Sequence, residues 1–147
     1  SDWGISQSLM YEKLTNNYVN LAKKYNLDII PTGLAVELAR HHSPVKFKMY
    51  DLSILENLTW PDLPPQAGDV VGNISWKKDA NGEMALVKDL IHLNVRGDYL
   101  QACLWLKCLY NINCHDTAKY FIPDEIGNED AKFLRNMAMQ AADTKLY

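Results

Sequence analysis

Residues 88–100 read Lys88-Asp89-Leu90-Ile91-His92-Leu93-Asn94-Val95-Arg96-Gly97-Asp98-Tyr99-Leu100. An aspartate stands three residues before a histidine, and an asparagine follows shortly after. Asn94 is placed as a helix cap, because its short side chain can accept the free N–H groups of a first turn. Beyond it, Leu100, Cys103, Leu104, Leu106 and Leu109 recur as a broad apolar face, which predicts a helix over 95–110. A loop over 89–92 can curl until the carboxylate meets the imidazole Nδ1–H. That contact would orient the ring, fix its tautomer and leave Nε2 to take a proton from a hydroxyl nucleophile. Gly97, in the first helical turn, lets another backbone or a substrate come close. Asp-x-x-His also arises by chance as a capping or surface pair, so spacing alone does not make a catalytic dyad.

Toward the N-terminus, Leu9, Leu14, Val19, Leu21, Ala22 and Tyr25 recur at helical period and predict an amphipathic helix over 8–26, ending at Asn26. Leu27-Asp28-Ile29-Ile30 reads as a short strand closed by Pro31 and the Thr32-Gly33 turn. A second helix over 34–41 carries Leu34, Val36, Leu38 and Ala39. Helix, strand, turn and helix is the rhythm of an α/β layer. Residues 43–69 hold Pro44, Pro61, Pro64 and Pro65, which predicts a surface excursion with one helical turn near 51–57. Val70–Trp76 and Met84–Val87 flank Asp79-Ala80-Asn81-Gly82 and predict a hairpin. Pro123 breaks the chain, Asn128 is a candidate cap, and 129–142 forms a last helix with Phe133, Leu134, Met137 and Ala141 on one face. One core strand and one hairpin are too few for a doubly wound sheet, which takes about five strands. The chain therefore reads as a small α+β domain or as part of a larger α/β domain.

Composition bounds the rest. The 147 residues fit a single domain, and 48% hydrophobic with 22% charged residues excludes collagen, a long coiled coil and a disordered chain. Fifteen basic against eighteen acidic residues, net −3, argue against nucleic acid or an anionic membrane as partner. No apolar run reaches the length of a membrane span. No charged-then-apolar leader opens the chain, and a mature secreted protein would have lost one. Cys103, Cys108 and Cys114 are an odd count and no disulfide framework. Cys103 and Cys108 are expected as buried thiols in the helix, with a Cys108–Cys114 bridge as the alternative if the helix ends between them. There is no CxxC pair and the histidines lack ligand spacing, so no metal site is expected.

The pattern Asp89-x-x-His92-Leu93-Asn94-x-x-Gly97-x-Tyr99-Leu100-x-Ala102, followed by an apolar helix, resembles the C-terminal motif block of the SGNH (GDSL-type) hydrolases. The run from Tyr18 to Gly33 looks like that family's last helix–strand unit before the block. The tail, with Ile122-Pro123 and Asp130-Ala131-Lys132-Phe133-Leu134-Arg135, is similar to the end of bacterial members associated with carbohydrate ester processing. The resemblance implies the C-terminal portion of a flavodoxin-like three-layer α/β/α sandwich, helix-rich with a small hairpin. It implies ester hydrolysis by a Ser-His-Asp mechanism without cofactor or metal, with His92 as base and Asp89 as its orienter. A small-molecule or carbohydrate ester would be the substrate, in a secreted or periplasmic setting.

The chain departs from that pattern at the nucleophile. It has no Gly-Asp-Ser block; Gly68-Asp69-Val70 and Gly97-Asp98-Tyr99 lack the serine, and Gly72-Asn73 is not the oxyanion motif. Ser6, Ser8, Ser43, Ser53 and Ser75 read as caps or surface hydroxyls. The serine would then come from an N-terminal segment or a second chain, and this chain alone is expected to be inactive. The competing reading is a noncatalytic carbohydrate-binding or interaction module on a degenerate hydrolase scaffold. Trp60 and Trp76 are candidates for stacking on a sugar or for plugging the core under a loop, and Trp105 is expected in the core. Asn94 and Arg96 are candidate substrate contacts beside His92, the alternative for Arg96 being an exposed first-turn arginine. His41-His42 is read as a favourable end to a helix dipole, and Glu12, Lys13, Lys23 and Lys24 as a solvated face.

Overall fold

A computed structural model describes residues 5–117 and 121–147. Helix α1, Gln7–Tyr25, starts where Ser6 accepts a hydrogen bond from the Leu9 amide and stops at Asn26, whose φ of 53° is left-handed. Lys23 and Lys24 in its last turn complement the helix dipole. Helix α2 spans Thr32–His42, and a single 3-10 turn covers Leu52–Glu56. Strands β1 (Val71–Lys78) and β2 (Met84–Leu93) form an antiparallel hairpin. Helices α3 (Val95–Tyr110), α4 (Cys114–Thr117) and α5 (Asn128–Ala142) follow. Among the described residues this is a small mixed α/β domain of five helices and a two-stranded hairpin. None of its helices is long and apolar enough to cross a membrane.

The core lies where α2, α3 and α5 meet. Ala35, Ala39, Ala131, Ala138 and Ala141 are buried in it, and their small side chains let the helices approach closely. Leu100, Leu104, Leu134 and Val70 fill the space between them. Burying each such side chain contributes about 2 kcal/mol. Arg135 is also buried, and it donates to the Tyr99 hydroxyl at 2.8 Å.

The proline-rich excursion is tied to the hairpin. The Gln66 side chain accepts from the Ile74 amide at 2.6 Å and donates to the Ile74 carbonyl at 2.9 Å, standing in for a third strand on the outer edge of β1. Trp76 Nε1 donates to the Asp62 carbonyl at 2.8 Å. Gly68 has a φ of +90°, and a Cβ there would lie 2.2 Å from the Val45 carbonyl oxygen, so only glycine fits. Next to it, the buried Asp69 carboxylate accepts from Arg40 Nε at 3.1 Å and from the Val70 amide at 2.7 Å.

Several expectations are corrected. Leu27–Ile30 forms no regular element and pairs with no strand among the described residues; its side chains favour a strand, yet no neighbour runs beside it. No parallel sheet is therefore present in the described residues, and the only ladder is the hairpin. The apolar face of α3 is narrower than its leucines suggest. Leu100, Cys103 and Leu104 are buried, while Leu109 is exposed and Trp105, about 100° around the helix from Leu104, is 45% exposed. Cys108 is exposed, and α3 continues past it to Tyr110, so the Cys108–Cys114 bridge is not formed and none of the three cysteines is in a disulfide. The Cys114 thiol instead donates to the Cys103 carbonyl at 3.1 Å. The last helix is capped by Gly127 rather than Asn128.

Candidate functional site

Asp89 and His92 lie on β2, not in a free loop. In a regular strand, residues three apart face opposite sides and sit about 10 Å from each other. The ladder is broken here. Val71 pairs with Leu93 and Asn73 with Asp89, so Gly72 alone faces Leu90, Ile91 and His92. Gly72 meets this with a φ of +84°, and a Cβ on it would stand 3.2 Å from the Asp89 carbonyl oxygen. The surplus residues of β2 bulge outward and turn His92 back over Asp89.

Within the bulge, Asp89 Oδ1 accepts from the Ile91 amide at 3.1 Å and from the His92 amide at 3.0 Å. Its Oδ2 lies 2.9 Å from His92 Nδ1. These bonds hold the carboxylate well below its ordinary pKa of 3.8, at about 2, the His92 amide contributing most, then the Ile91 amide and the imidazole. An ionised carboxylate only accepts, so His92 Nδ1 is the donor, and in the neutral ring Nε2 carries the free lone pair. The His92 side chain is 75% exposed, so that lone pair faces solvent.

The sign of the pH dependence follows from the lowered pKa. The bulge gains stability from Asp89 wherever the carboxylate is ionised, in full above pH 3.8, and loses it as pH falls through about 2. We expect the Asp89 carboxyl carbon to titrate near 2 in an NMR series, with the Ile91 and His92 amides losing exchange protection over the same interval. Asp89→Asn should abolish that step; a midpoint near 4 would show that the bulge does not hold the carboxylate.

Asn94 and Arg96 serve the frame beneath the dyad. Asn94 Oδ1 caps α3 by accepting from the Arg96 amide at 3.0 Å and the Gly97 amide at 3.1 Å. Its Nδ2 donates to the carbonyls of Asp69 and Gly72, joining the helix start to the bulge. Arg96 grips Asp130 in a two-pronged ion pair at 2.6 and 2.7 Å, and donates to the Asp69 carbonyl at 2.7 Å. It is a half-buried clamp between the first turns of α3 and α5, not an exposed arginine. Both side chains are thus tied into the frame of the domain. Trp60 is 61% exposed, whereas Trp76 is partly buried with its N–H engaged, so of these two candidates Trp60 offers the open ring.

No serine completes a triad among the described residues: none hydrogen-bonds His92. Ser6 caps α1, Ser43 is buried with its hydroxyl on the Val45 carbonyl, and Ser75 sits in β1 opposite Val87. Sequence reasoning missed the roles of Asp69, Gln66 and Asp130. Asp130 carried a faint signal as an acidic residue in a first turn; Gln66 carried none, since nothing local marks a side chain that mimics a strand. No family model, no curated protein and no solved structure matches this chain.

Proposed function

We propose that this chain supplies the base and its orienting carboxylate to a Ser-His-Asp ester hydrolase, as the C-terminal portion of an SGNH-like α/β/α domain whose serine lies outside these residues. The observation that carries the reading is the Asp89–His92 pair, with Nδ1 held at 2.9 Å by an ionised carboxylate and Nε2 left open. In the neutral ring, that is the tautomer a general base needs to take a serine proton. The exposure of His92 suits a base whose partners approach from outside the described residues. Acyl groups on carbohydrate are the substrate class suggested by the resemblance of the tail. A second reading, a noncatalytic sugar-binding module, is favoured by the exposed ring of Trp60.

A native mass spectrum of the purified protein, repeated after denaturation, tests the reading together with a p-nitrophenyl acetate assay on the same sample. A second polypeptide with ester hydrolysis by the assembly is expected. A natural full-length protein that, together with any polypeptide that co-purifies with it, leaves the ester untouched would overturn the esterase reading, and the module would stand in its place.

A further inference from the structure

Helices α3, α4 and α5 enclose a chain of buried polar groups that the dyad does not use. Arg135 Nη1, on α5, donates to the Tyr99 hydroxyl at 2.8 Å. Tyr99 bonds to the Cys103 thiol, and the Cys103 thiol bonds to the sulfur of Cys114. The Cys114 thiol reaches the Cys103 carbonyl at 3.1 Å. All four side chains are buried. At the head of the chain, Arg135 Nε is buried without a hydrogen-bond partner. Among the described residues no carboxylate pairs with its guanidinium. A guanidinium keeps its proton, so this buried charge favours an anion beside it. The ionisable groups it acts on are Tyr99 and the two cysteines. The bond from Cys103 draws the Cys114 thiol below its ordinary pKa, and Arg135 adds to this against the effect of burial. The same bond, with burial, pushes the Cys103 thiol up.

A buried cysteine in apolar surroundings is inert, whereas one beside a cation and a second thiol is reactive. We propose that Cys103 and Cys114, thiol against thiol beside the unpaired Arg135, are a dithiol that a hydroperoxide closes to a disulfide, with Cys114 attacking first and Cys103 resolving. The Cys114 sulfur gives up its proton and attacks one peroxide oxygen. The O–O bond breaks, leaving a sulfenic acid on Cys114 and hydroxide, which takes that proton and departs as water. The Cys103 sulfur then attacks the sulfenic sulfur. The S–S bond forms, the S–O bond breaks, and the hydroxyl leaves as a second water with the proton from Cys103. The two sulfurs together lose two electrons and the peroxide gains them. Helix α4 is one turn, Cys114–Thr117, and local opening of so short an element admits a small oxidant. The product staples α4 to α3. The inference stands apart from the esterase reading, since neither Asp89 nor His92 takes part.

The test exposes the reduced full chain to one equivalent of hydrogen peroxide and blocks the remaining thiols with N-ethylmaleimide in denaturant. Digestion with trypsin and chymotrypsin parts the three cysteines, and the peptides are mapped by mass. A Cys103–Cys114 link is expected, two hydrogens lighter than the separate peptides and reversed by dithiothreitol. Cys108 carries the maleimide in spite of its exposure. The pair should be consumed about tenfold faster than Cys108. In concentrated urea that preference should vanish, because the folded structure creates it. Oxidation of Cys108 while Cys103 and Cys114 remain thiols would overturn the proposal. So would a link to Cys108, or the same preference in urea. In Cys103→Ser, oxidation should halt at the Cys114 sulfenic acid, which dimedone labels. Dimedone on no residue, or on Cys108 alone, in a variant with the parent's circular dichroism would overturn the order of attack. The mapping of the parent chain decides the disulfide whether or not that variant folds.

Discussion

Gly97→Ala is expected to destabilise the domain by about 3 kcal/mol, the upper part of the range for forced overpacking. A Cβ at that position would lie 2.1 Å from the Val70 carbonyl oxygen, 2.9 Å from Leu93 Cδ2 and 3.0 Å from Leu93 Cβ. The nearest of these is backbone and cannot rotate away. It is also committed, because the Val70 carbonyl accepts from the Asn94 amide at the start of α3. Helix propensity pulls the other way, since alanine is favoured over glycine in a helix by about 1 kcal/mol. The sign of the measured change therefore decides between local preference and the crossing of hairpin and helix. Urea unfolding followed by circular dichroism reads it. A midpoint equal to or above that of the parent would mean that the first turn of α3 can peel from Val70 at no cost.

If the proposed esterase activity is found, His92→Ala is expected to lower kcat by roughly 10⁶-fold, as loss of a triad histidine does. The side chain is three-quarters exposed and bonds only to Asp89, so its loss should not unfold the domain. Asp89→Asn is the companion test. An amide can donate where the carboxylate only accepts, so it can hold the other imidazole tautomer and place the proton on Nε2. A smaller fall in kcat, roughly 10⁴-fold, is expected, with little change in KM, because neither group is asked to bind the ground state. Activity that survives both substitutions would remove the dyad from the mechanism while leaving the fold untouched.

The helices were legible because their signals are local. Ser6 and Asn26 bound α1, and Asn94 opens α3, each through hydrogen bonds made within a few residues. The hairpin was legible in its turn but not in its length. The β-prone run on the second arm ends at Val87, whereas β2 continues to Leu93. Its last stretch, Leu90 to His92, pairs irregularly against Gly72, and irregular pairing leaves no periodic trace. Leu27–Ile30 shows the reverse case: strand-like side chains without a ladder, because pairing is a property of two segments and not of one.

The same division runs through the site. Sequence alone determined that an aspartate stands three residues before a histidine, ahead of a capped helix, and that no Gly-Asp-Ser accompanies them. Spacing along the chain carries that much, since chemistry and local capping are written in neighbouring residues. The tertiary structure decided that the two side chains meet at all, through a bulge opposite a left-handed Gly72. It also tied Asn94 and Arg96 into the frame, through bonds to Asp69, Gly72 and Asp130. Those partners lie 22 or more residues away in the chain. A side chain's hydrogen-bonding capacity is finite, and which distant group claims it is settled only when the chain has packed.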